Sequence, residues 1–574
     1  MKNSQKKNWH ILPKTSDGLI KQFPEYNQVV LQLLFNRGII EKNKIEKFLG
    51  FDYEKDFYDS FLFIEMDGAV ELVIKHIKEQ NKIVIYGDYD ADGVTSSVLL
   101  VETLKTLKAK VEAYIPNRVS EGYGLNKKAI DELKENGTKL IITVDNGIRS
   151  KEEIEYTKSL GMEVLVTDHH VAPEDKKDWP DCIIIDPIIK GEKYPYKYLA
   201  GVGVAFKLAK ALISKSKLNK DDKNKLEDRI LDLVAIGTVA DCVSLSDENR
   251  ILVKKGLEIL NKTKRKGLIE LMKTAKIPDD KEIDAWNIGF QIAPRINAAG
   301  RMDHANTAFE LLITKNKEEA IALSKRLNEK NIDRQDTTKE ITEYVDKKIN
   351  KKDKIIISVC PKDLEGDAWN EGVIGLVAGR ICQKYYRPTL VITRSPEGFK
   401  GSGRSIEEFN MMSAIEECSE FLDKFGGHAM ACGFSLSEEN LEKFKKKIKK
   451  IAEEKLKDIK LEPKIIIEKE LDILEVNEDL IKDIEKFAPF GQENNQPIFL
   501  SSDVQIRDIM TMGVGGKHIK FRLNGFWALG FNMTEEWKDL RIGDKIDIAY
   551  YVEMNNFNGR SEVQLKIVDI KYEI

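Results

Sequence analysis

The sequence predicts a multidomain α/β protein: a parallel-sheet domain, a long connecting helix, a second α/β unit and a C-terminal β-barrel. Three observations carry that expectation. Between Ile83 and Pro187 short apolar runs alternate with helical patterns. From Asn316 to Lys352 the chain is polar and charge-rich, with helical periodicity and few turn residues. In the last hundred residues, short runs of Ile, Val and Phe are broken by Gly and Asn, as in GVGGKHIKFRLNGFWALGFN.

The first region contains candidate strands at Ile83–Tyr86, Val111–Ile115, Leu140–Val144, Val164–Thr167 and Ile183–Ile185, with helical segments at Thr95–Lys108, Lys127–Asn136 and Lys151–Leu160. Nearly continuous Val/Ile runs separated by helices predict a parallel sheet covered on both faces. Such open sheets bind ligands beyond the carboxyl ends of their strands. Residues 200 to about 275 read as mostly helical. The second α/β unit runs from Ile355 to Lys450, with Gly-rich turns expected at Gly401–Arg404 and Gly426–His428. The expected divisions are a segment 1–75 packed on the first α/β domain, that domain at 76–315, the connecting helix at 316–352, the second unit at 353–455 and the barrel at 460–574.

A chain of 574 residues exceeds one hydrophobic core, and three or four domains are expected. The first residues carry no apolar signal-peptide core, and no apolar run reaches the length of about 18 residues that a membrane span needs. Six cysteines stand without any CxxC pair, which fits reduced thiols and a cytoplasmic location. The net charge of −4 gives no global sign of a nucleic-acid binder, because a basic track can be local.

The chemistry concentrates at strand ends. IYGDYDADG sets Asp88, Asp90 and Asp92 directly after the first strand. Alternate carboxylates repel one another and need cations between them. TVDNG sets Asp145 and Asn146 after another strand, TDHH sets Asp168, His169 and His170 after a third, and VADCV sets Asp241 after an apolar helical run. One such motif alone could be an acidic surface turn; four together point to a metal centre. Oxygen and imidazole donors suit Mn²⁺ or Mg²⁺, and five or more ligands suit two ions assisting phosphoester hydrolysis.

These four motifs, in this order, resemble the DHH phosphoesterase superfamily, named for the triplet present here as Asp168-His169-His170. Further segments resemble its single-strand-specific exonuclease family: YIPNR (Tyr114–Arg118), EGYG (Glu121–Gly124), RINAAGRMDHA (Arg295–Ala305), EGVIGLVAGR (Glu371–Arg380), GSGRS (Gly401–Ser405), FGGHAMACGF (Phe425–Phe434) and FAPFGQENNQPIF (Phe487–Phe499). The resemblance spans essentially the whole chain. It implies a DHH catalytic domain, a DHH-associated domain and an oligonucleotide-binding (OB) barrel. Asp90, Asp92, Asp145, His169 and Asp241 are then the core metal ligands, and Asp88 is a further ligand or orienting group. Asp168 and Asn146 orient the ligands, and His170 faces the scissile phosphate. Arg118, Arg301, Ser402, Gly403, Arg404, Gly427 and His428 would hold the substrate and its 5′-phosphate, with the Gly401 and Gly403 amides completing a cradle.

The activity so implied is release of mononucleotides from the 5′ end of single-stranded DNA in repair and recombination. The expected cofactors are two Mn²⁺ or Mg²⁺ ions. Expected partners are single-stranded DNA, a RecQ-type helicase and a single-strand-binding protein, with the protein itself a monomer. Phe521, Phe526, Trp527 and Phe531 are candidates to stack on bases, although alternate aromatics in a small barrel are more often core. The lysines of 443–450 read as a solvated helix face. Two other readings remain. A small-substrate DHH phosphodiesterase would ordinarily stop before the barrel. A non-catalytic replication scaffold would have lost acidic ligands that this chain keeps.

Overall fold

A short strand β1 (Asn8–Ile11) is followed in the chain by five that form one parallel sheet: β2 (Lys82–Tyr86), β3 (Lys110–Tyr114), β4 (Thr138–Val144), β5 (Glu163–Thr167) and β6 (Ile183–Ile185). Their order is β3-β2-β4-β5-β6. This is a computed structural model, and it describes residues 7–118, 120–362, 368–557 and 560–572. Residues 1–6 of the expected N-terminal segment and 573–574 of the expected barrel lie outside the described residues.

Successive strand side chains point to opposite faces, so an unbroken apolar run feeds two cores at once. Ile83, Ile85, Leu140 and Ile142 pack with Val98, Phe206 and Leu233 on one face. Val84, Tyr86 and Ile141 pack with Ile130, Leu133 and Ile154 on the other. The chain leaves β2 for β3 on one side and returns to β4 on the other. The carboxyl ends of β2 and β4 therefore flank a topological switch point, where an open α/β sheet has its crevice.

The connecting helix runs from Lys317 to Lys348, with the Asn316 side chain capping its first turn. It leads to a mixed sheet of β7 (Ile356–Val359), β8 (Thr389–Ser395), β9 (Gly398–Arg404), β10 (Lys424–His428) and β11 (Ala431–Leu436), in the order β10-β11-β9-β8-β7. The expected Gly-rich turns at Gly401–Arg404 and Gly426–His428 are strands. Their glycines answer to packing rather than to chain reversal: a Cβ on Gly401 would lie 2.1 Å from the Phe434 ring, and one on Gly403 would lie 2.6 Å from Cys432 Sγ. The Lys-rich helix, Leu441–Lys455, is a solvated face whose Lys445, Lys447 and Lys449 pair with Glu442, Glu420 and Asp353.

The remaining strands are β12 (Lys464–Ile467), β13 (Lys469–Glu470), β14 (Phe499–Met512), β15 (His518–Leu523), β16 (Phe526–Gly530), β17 (Lys545–Phe557) and β18 (Arg560–Lys571). The sheet β14-β15-β16-β18-β17 closes into a barrel because β14 also pairs with β17. The β16–β18 pair is parallel.

The chain divides into two compact units, Tyr53–Lys460 and Met1–Asp52 with Leu461–Ile574. The expectation that residues 1–75 pack on the first α/β domain therefore fails for the part up to Asp52. Strand β1 pairs in parallel with β12. Leu31, Leu33 and Leu34 of the helix Gln28–Asn36 are buried among Leu471, Leu480 and Phe487. Arg37 pairs with Glu468 at 2.7 Å. An amphipathic pattern tells that a helix has an apolar face but not which core receives it. From Tyr53 onward the chain does join the first domain. Tyr53 donates to Glu227 at 2.7 Å, and the backbone carbonyl of Tyr58 accepts from the buried Lys207 at 2.6 Å. Among the described residues no helix is long and apolar enough to cross a membrane.

Leu33→Ala should remove about 2–5 kcal/mol from the unit that contains the barrel. Hydrogen exchange would then accelerate in β14–β18 and stay unchanged in β2–β6. Faster exchange in β2–β6 instead would reassign the N-terminal segment.

Candidate metal centre and phosphate-binding face

Each acidic motif sits where the fold ends an element. The helix after β2 begins at Ala91, four residues earlier than the sequence indicated, with Asp90 as its N-cap and Asp92 inside its first turn. Asp90 Oδ1 accepts the Asp92 and Gly93 amides at 2.9 and 3.1 Å. Asp92 is buried, and its two oxygens accept the Gly201 and Val202 amides at 2.7 and 2.8 Å. Those amides open the helix Gly201–Lys215. Two helix N-termini thus offset part of the charge that the motif concentrates. Asp241, at the C-terminal end of the helix Lys220–Ala240, has no such help.

Asp145 follows β4 with φ 62°, a left-handed conformation that Asp adopts more readily than most residues. A Cβ on Gly201 would stand 2.7 Å from Asp145 Cβ. Only glycine therefore lets this helix start so close to that carboxylate.

The side chains converge. Asp88, Asp90 and Asp145 offer one group of ligand atoms within 4.8 Å of one another; Asp92, His169 and Asp241 offer a second; Asp145, His169 and His170 form a third. His169 Nε2 lies 3.1 Å from Asp145 Oδ1, 3.6 Å from Asp241 Oδ2 and 3.9 Å from Asp92 Oδ2. Asp145 and His169 thus join the two outer groups into one centre.

Burial, followed by the neighbouring carboxylates, drives Asp88, Asp145 and Asp241 well above the usual carboxylate range. The same causes, burial and then Asp90, push Asp92 up to about 7. Asp88 Oδ1 is buried without a hydrogen-bond partner. Burial, then His170, lowers His169 to about 4, so its imidazole is neutral and able to donate a lone pair. A buried set of mutually repelling oxygens with a neutral imidazole fits hard divalent cations, Mn²⁺ or Mg²⁺.

His170 differs. Burial alone would lower it, but the hydrogen bond from Nδ1 to Asp168 Oδ1, 2.8 Å long, and the surrounding acids raise it to about 9. Nδ1, the ring nitrogen that lies 3.9 Å from Asp145 Oδ1 in the third group, is thereby committed to Asp168. Asp168 is fully buried and accepts the Ile148, His169 and His170 amides as well. Its Oδ1 holds the two histidines, while Oδ2 takes the Ile148 amide. The Asn146 side chain, also buried, donates to the Val144 and Tyr86 carbonyls and ties β4 to β2 behind the site.

Three residues at this centre escaped sequence reasoning. The Tyr123 hydroxyl lies 3.1 Å from the Asp145 carbonyl and 3.2 Å from His170 Nδ1. Asn297 Oδ1 accepts the Ala91 amide at 2.7 Å and so fixes the start of the Asp90–Asp92 turn. Asp186, after β6, is buried and raised by that burial to about 8. Tyr123 and Asn297 stood inside EGYG and RINAAGRMDHA. Asp186 occupied the same strand-end position as Asp145 and Asp168.

The second sheet presents another set of polar groups. Along β9, Gly401 and Gly403 face the core while Ser402 and Arg404 face away from it. Strand β9 is paired on both sides, which commits its amides to the sheet, so the expected cradle loses its Gly401 and Gly403 amides. The side chains remain: Arg404 Nη1 donates to Ser402 Oγ at 3.2 Å. The register puts Arg404, Ala431 and His428 on one rung, and Ser402, Gly433 and Gly426 two rungs along, on the same face. Gly426 and Gly433 have open space where a Cβ would be. The result is a flat floor between Ser402 with Arg404 and the exposed His428. Gly427 backs this floor with φ 145°. Arg301 Nη1 donates to the Gly372 carbonyl at 2.9 Å, and the Arg118 guanidinium lies 4.7 Å over the Tyr89 ring. Arg301 feels Arg118, Arg404 and Asp90, which puts both arginines beside the metal centre.

In the barrel, Phe521 is core and Phe526 is half-buried. Trp527 is half-buried under Lys520 and Arg522, 4.2 and 5.1 Å from its ring. Phe531 is exposed beside Lys566.

Three family models match the chain: the DHH family, N-terminal domain, over residues 82–238; the DHHA1 domain over 352–454; and the RecJ OB domain over 467–569. The chain is 37% identical over 550 residues to the single-stranded-DNA-specific exonuclease RecJ of Bacillus subtilis, covering 94% of this chain and 67% of that protein. It is 34% identical to RecJ of Salmonella typhimurium, covering 88% and 90%. A crystal structure of RecJ in complex with Mn²⁺ from Thermus thermophilus superposes with a TM-score of 0.82 at 26% identity, covering 99% of this chain and 80% of that one.

Gly201→Ala should displace Asp145 and lower Mn²⁺ affinity about 10- to 100-fold, as changes behind a ligand typically do. Calorimetric titration with Mn²⁺ reads this directly. An unchanged affinity would remove Asp145 from the centre.

Proposed function

The chain belongs to the RecJ family of single-stranded-DNA-specific exonucleases, and from that membership we propose that it hydrolyses single-stranded DNA from the 5′ end, releasing 5′-mononucleotides. The observation that carries this reading is the joint presence of an intact two-part carboxylate–histidine centre and a separate anion-binding face reached through Arg301. The first does the chemistry and the second selects an end.

Asp88, Asp90 and Asp145 would hold one cation and Asp92, His169 and Asp241 the other, with Asp145 within reach of both. The two ions would supply Lewis acidity to the phosphoryl oxygens and activate water for in-line attack. The protein's own groups orient that chemistry. Asp168 commits Nδ1 of His170, which leaves the Nε2–H of a charged ring to donate to a non-bridging oxygen as negative charge develops. Arg118, Arg301, Ser402 and Arg404 would grip the terminal phosphate, and His428 with the Gly426–Gly433 floor would receive the nucleotide attached to it. A pocket for a phosphomonoester near the centre favours a terminus over an internal bond. Trp527 and Phe531, flanked by lysine and arginine, suit stacking on single-strand bases.

The small-substrate alternative has no use for the barrel, and the scaffold alternative has no use for an intact centre. Single-stranded DNA is the partner that the chemistry calls for. A RecQ-type helicase and a single-strand-binding protein follow from the family rather than from these residues, the cysteines without a CxxC pair suit a cytoplasmic setting, and the protein is read as a monomer.

With Mn²⁺ and strands labelled at either end, the protein should release mononucleotides stepwise from the 5′ end, spare blunt duplex and stop on EDTA addition. Asp145→Ala should lower the rate by 10³-fold or more, on the order of what loss of a group essential to transition-state stabilisation costs, and should leave strand binding nearly intact. Cleavage confined to dinucleotides would overturn the substrate, and an undiminished rate in the variant would overturn the centre.

A further inference from the structure

Asp241 stands in an unfavourable place. It closes the helix Lys220–Ala240, where the peptide dipoles repel an anion. The next residue, Cys242, has φ 57°, a left-handed conformation that helix ends usually give to glycine. Such backbone persists only where its surroundings hold it, so the position of Asp241 depends on what grips the loop that follows.

That loop leads from Cys242 to Ser246, and the helix Asp247–Leu260 comes next. Against it lies a strap of alternate tyrosines, Tyr194, Tyr196 and Tyr198, which runs into the helix Gly201–Lys215. Side-chain hydrogen bonds stitch the two together. The Tyr194 hydroxyl donates to Glu248 Oε2 at 2.7 Å. The Tyr196 hydroxyl donates to the Ser244 carbonyl at 3.2 Å. The Asn249 amide spans loop and strap: its Nδ2 donates to the Ser244 carbonyl at 2.9 Å and to the Tyr198 carbonyl at 2.5 Å.

The two carbonyls it joins lead to two different acids of the metal centre. Ser244 is three residues after Asp241. Tyr198 is three residues before Gly201, whose amide holds Asp92 together with the amide of Val202. Asn249 is therefore a bridge between the loop that carries Asp241 and the helix start that fixes Asp92. The ligands of the other cation position need no such bridge. Asp88 and Asp90 follow β2 and Asp145 follows β4, and these two strands pair directly in the sheet.

Packing does not explain the residue. Asn249 is fully buried, and its Oδ1 has no hydrogen-bond partner. An orphaned amide oxygen in the interior costs stability, and leucine, of similar volume, would avoid that cost. What asparagine supplies here and leucine cannot is a pair of N–H donors on one nitrogen, and both are used.

We propose that Asn249 is a positioning residue for the cation held by Asp92, His169 and Asp241, setting the spacing between Asp92 and Asp241 without touching ion or substrate. The inference rests on the two-cation reading above and makes the two positions unequal. One is built on paired strands of the sheet; the other depends on a loop that Asn249 holds in place.

Calorimetric titration of the full chain with Mn²⁺ tests this, with wild type compared against Asn249→Leu, Tyr196→Phe and Tyr194→Phe. Asn249→Leu keeps the volume and removes both donors. It should weaken one of the two Mn²⁺ affinities about 10- to 100-fold and leave the other unchanged. Tyr196→Phe deletes the neighbouring bond to Ser244 and should weaken the same affinity about two- to tenfold. Tyr194→Phe breaks the strap's bond to Glu248, and should lower the melting temperature with both affinities kept. On a 5′-phosphorylated single strand, the kcat of Asn249→Leu should return toward wild type as Mn²⁺ is raised, with KM for the strand unchanged. Loss of both affinities together, loss of neither, or a kcat that excess Mn²⁺ fails to restore would overturn the inference alone. Should Asn249→Leu fail to fold, Tyr196→Phe decides by the same criteria. A wild type that takes up fewer than two Mn²⁺ ions would overturn the two-cation reading and this inference with it.

Discussion

Mutual repulsion among buried carboxylates governs this structure. Asp88, Asp92 and Asp145 are nearly inaccessible to water, with Asp90 and Asp241 beside them. Close like charges in a poorly solvated place are among the costliest arrangements a protein can adopt. The surrounding fold partly offsets that cost. Two helix N-termini face Asp90 and Asp92, and a glycine opens the second of those helices against Asp145. What these devices leave uncompensated is what cations would supply, so the centre's instability without metal and its affinity for metal are one property.

Much of this was legible in the sequence because strand-end acids carry their own punctuation. An apolar run of Val and Ile, then Asp, then Gly or His, fixes both the strand and the side at which its acid emerges. The switch point between β2 and β4 then brings motifs 57 residues apart, from Asp88 to Asp145, to one crevice. The partners of these acids were harder to read. The Gly201 and Val202 amides and Asn297 act through backbone geometry, and no local pattern states which carboxylate a given amide will meet. Tyr123 stood within a motif but gave no sign that its hydroxyl would reach His170.

The misplaced elements share one physical cause. Gly401, Gly403, Gly426 and Gly427 looked like turns because glycine permits turns, yet glycine is also what a strand needs when a large neighbour or a ligand lies flat on it. Phe434 over Gly401 is the first case, and the open floor at Gly426 and Gly433 leaves room for the second. The same ambiguity affected the first 52 residues. Their apolar helix face was readable, but its receiving core is built from residues more than four hundred positions away. Tertiary partners of that separation leave no trace in local periodicity.

The two sheets of the larger unit solve complementary electrostatic problems, and Arg301 is the hinge between them. On the metal side negative groups are crowded and call for cations. On the phosphate side arginines are crowded and call for anions. Arg301 feels both, with Asp90 raising and Arg118, Arg334 and Arg404 lowering its proton affinity. A phosphorylated strand end would satisfy the two sides together, because its terminal phosphate would neutralise arginines while its first linkage would meet the cations. A neutral end would fill the metal side alone and leave the arginines unpaired. Preference for a phosphorylated terminus, as proposed above, would then follow from charge balance across the site, without any group that recognises a base.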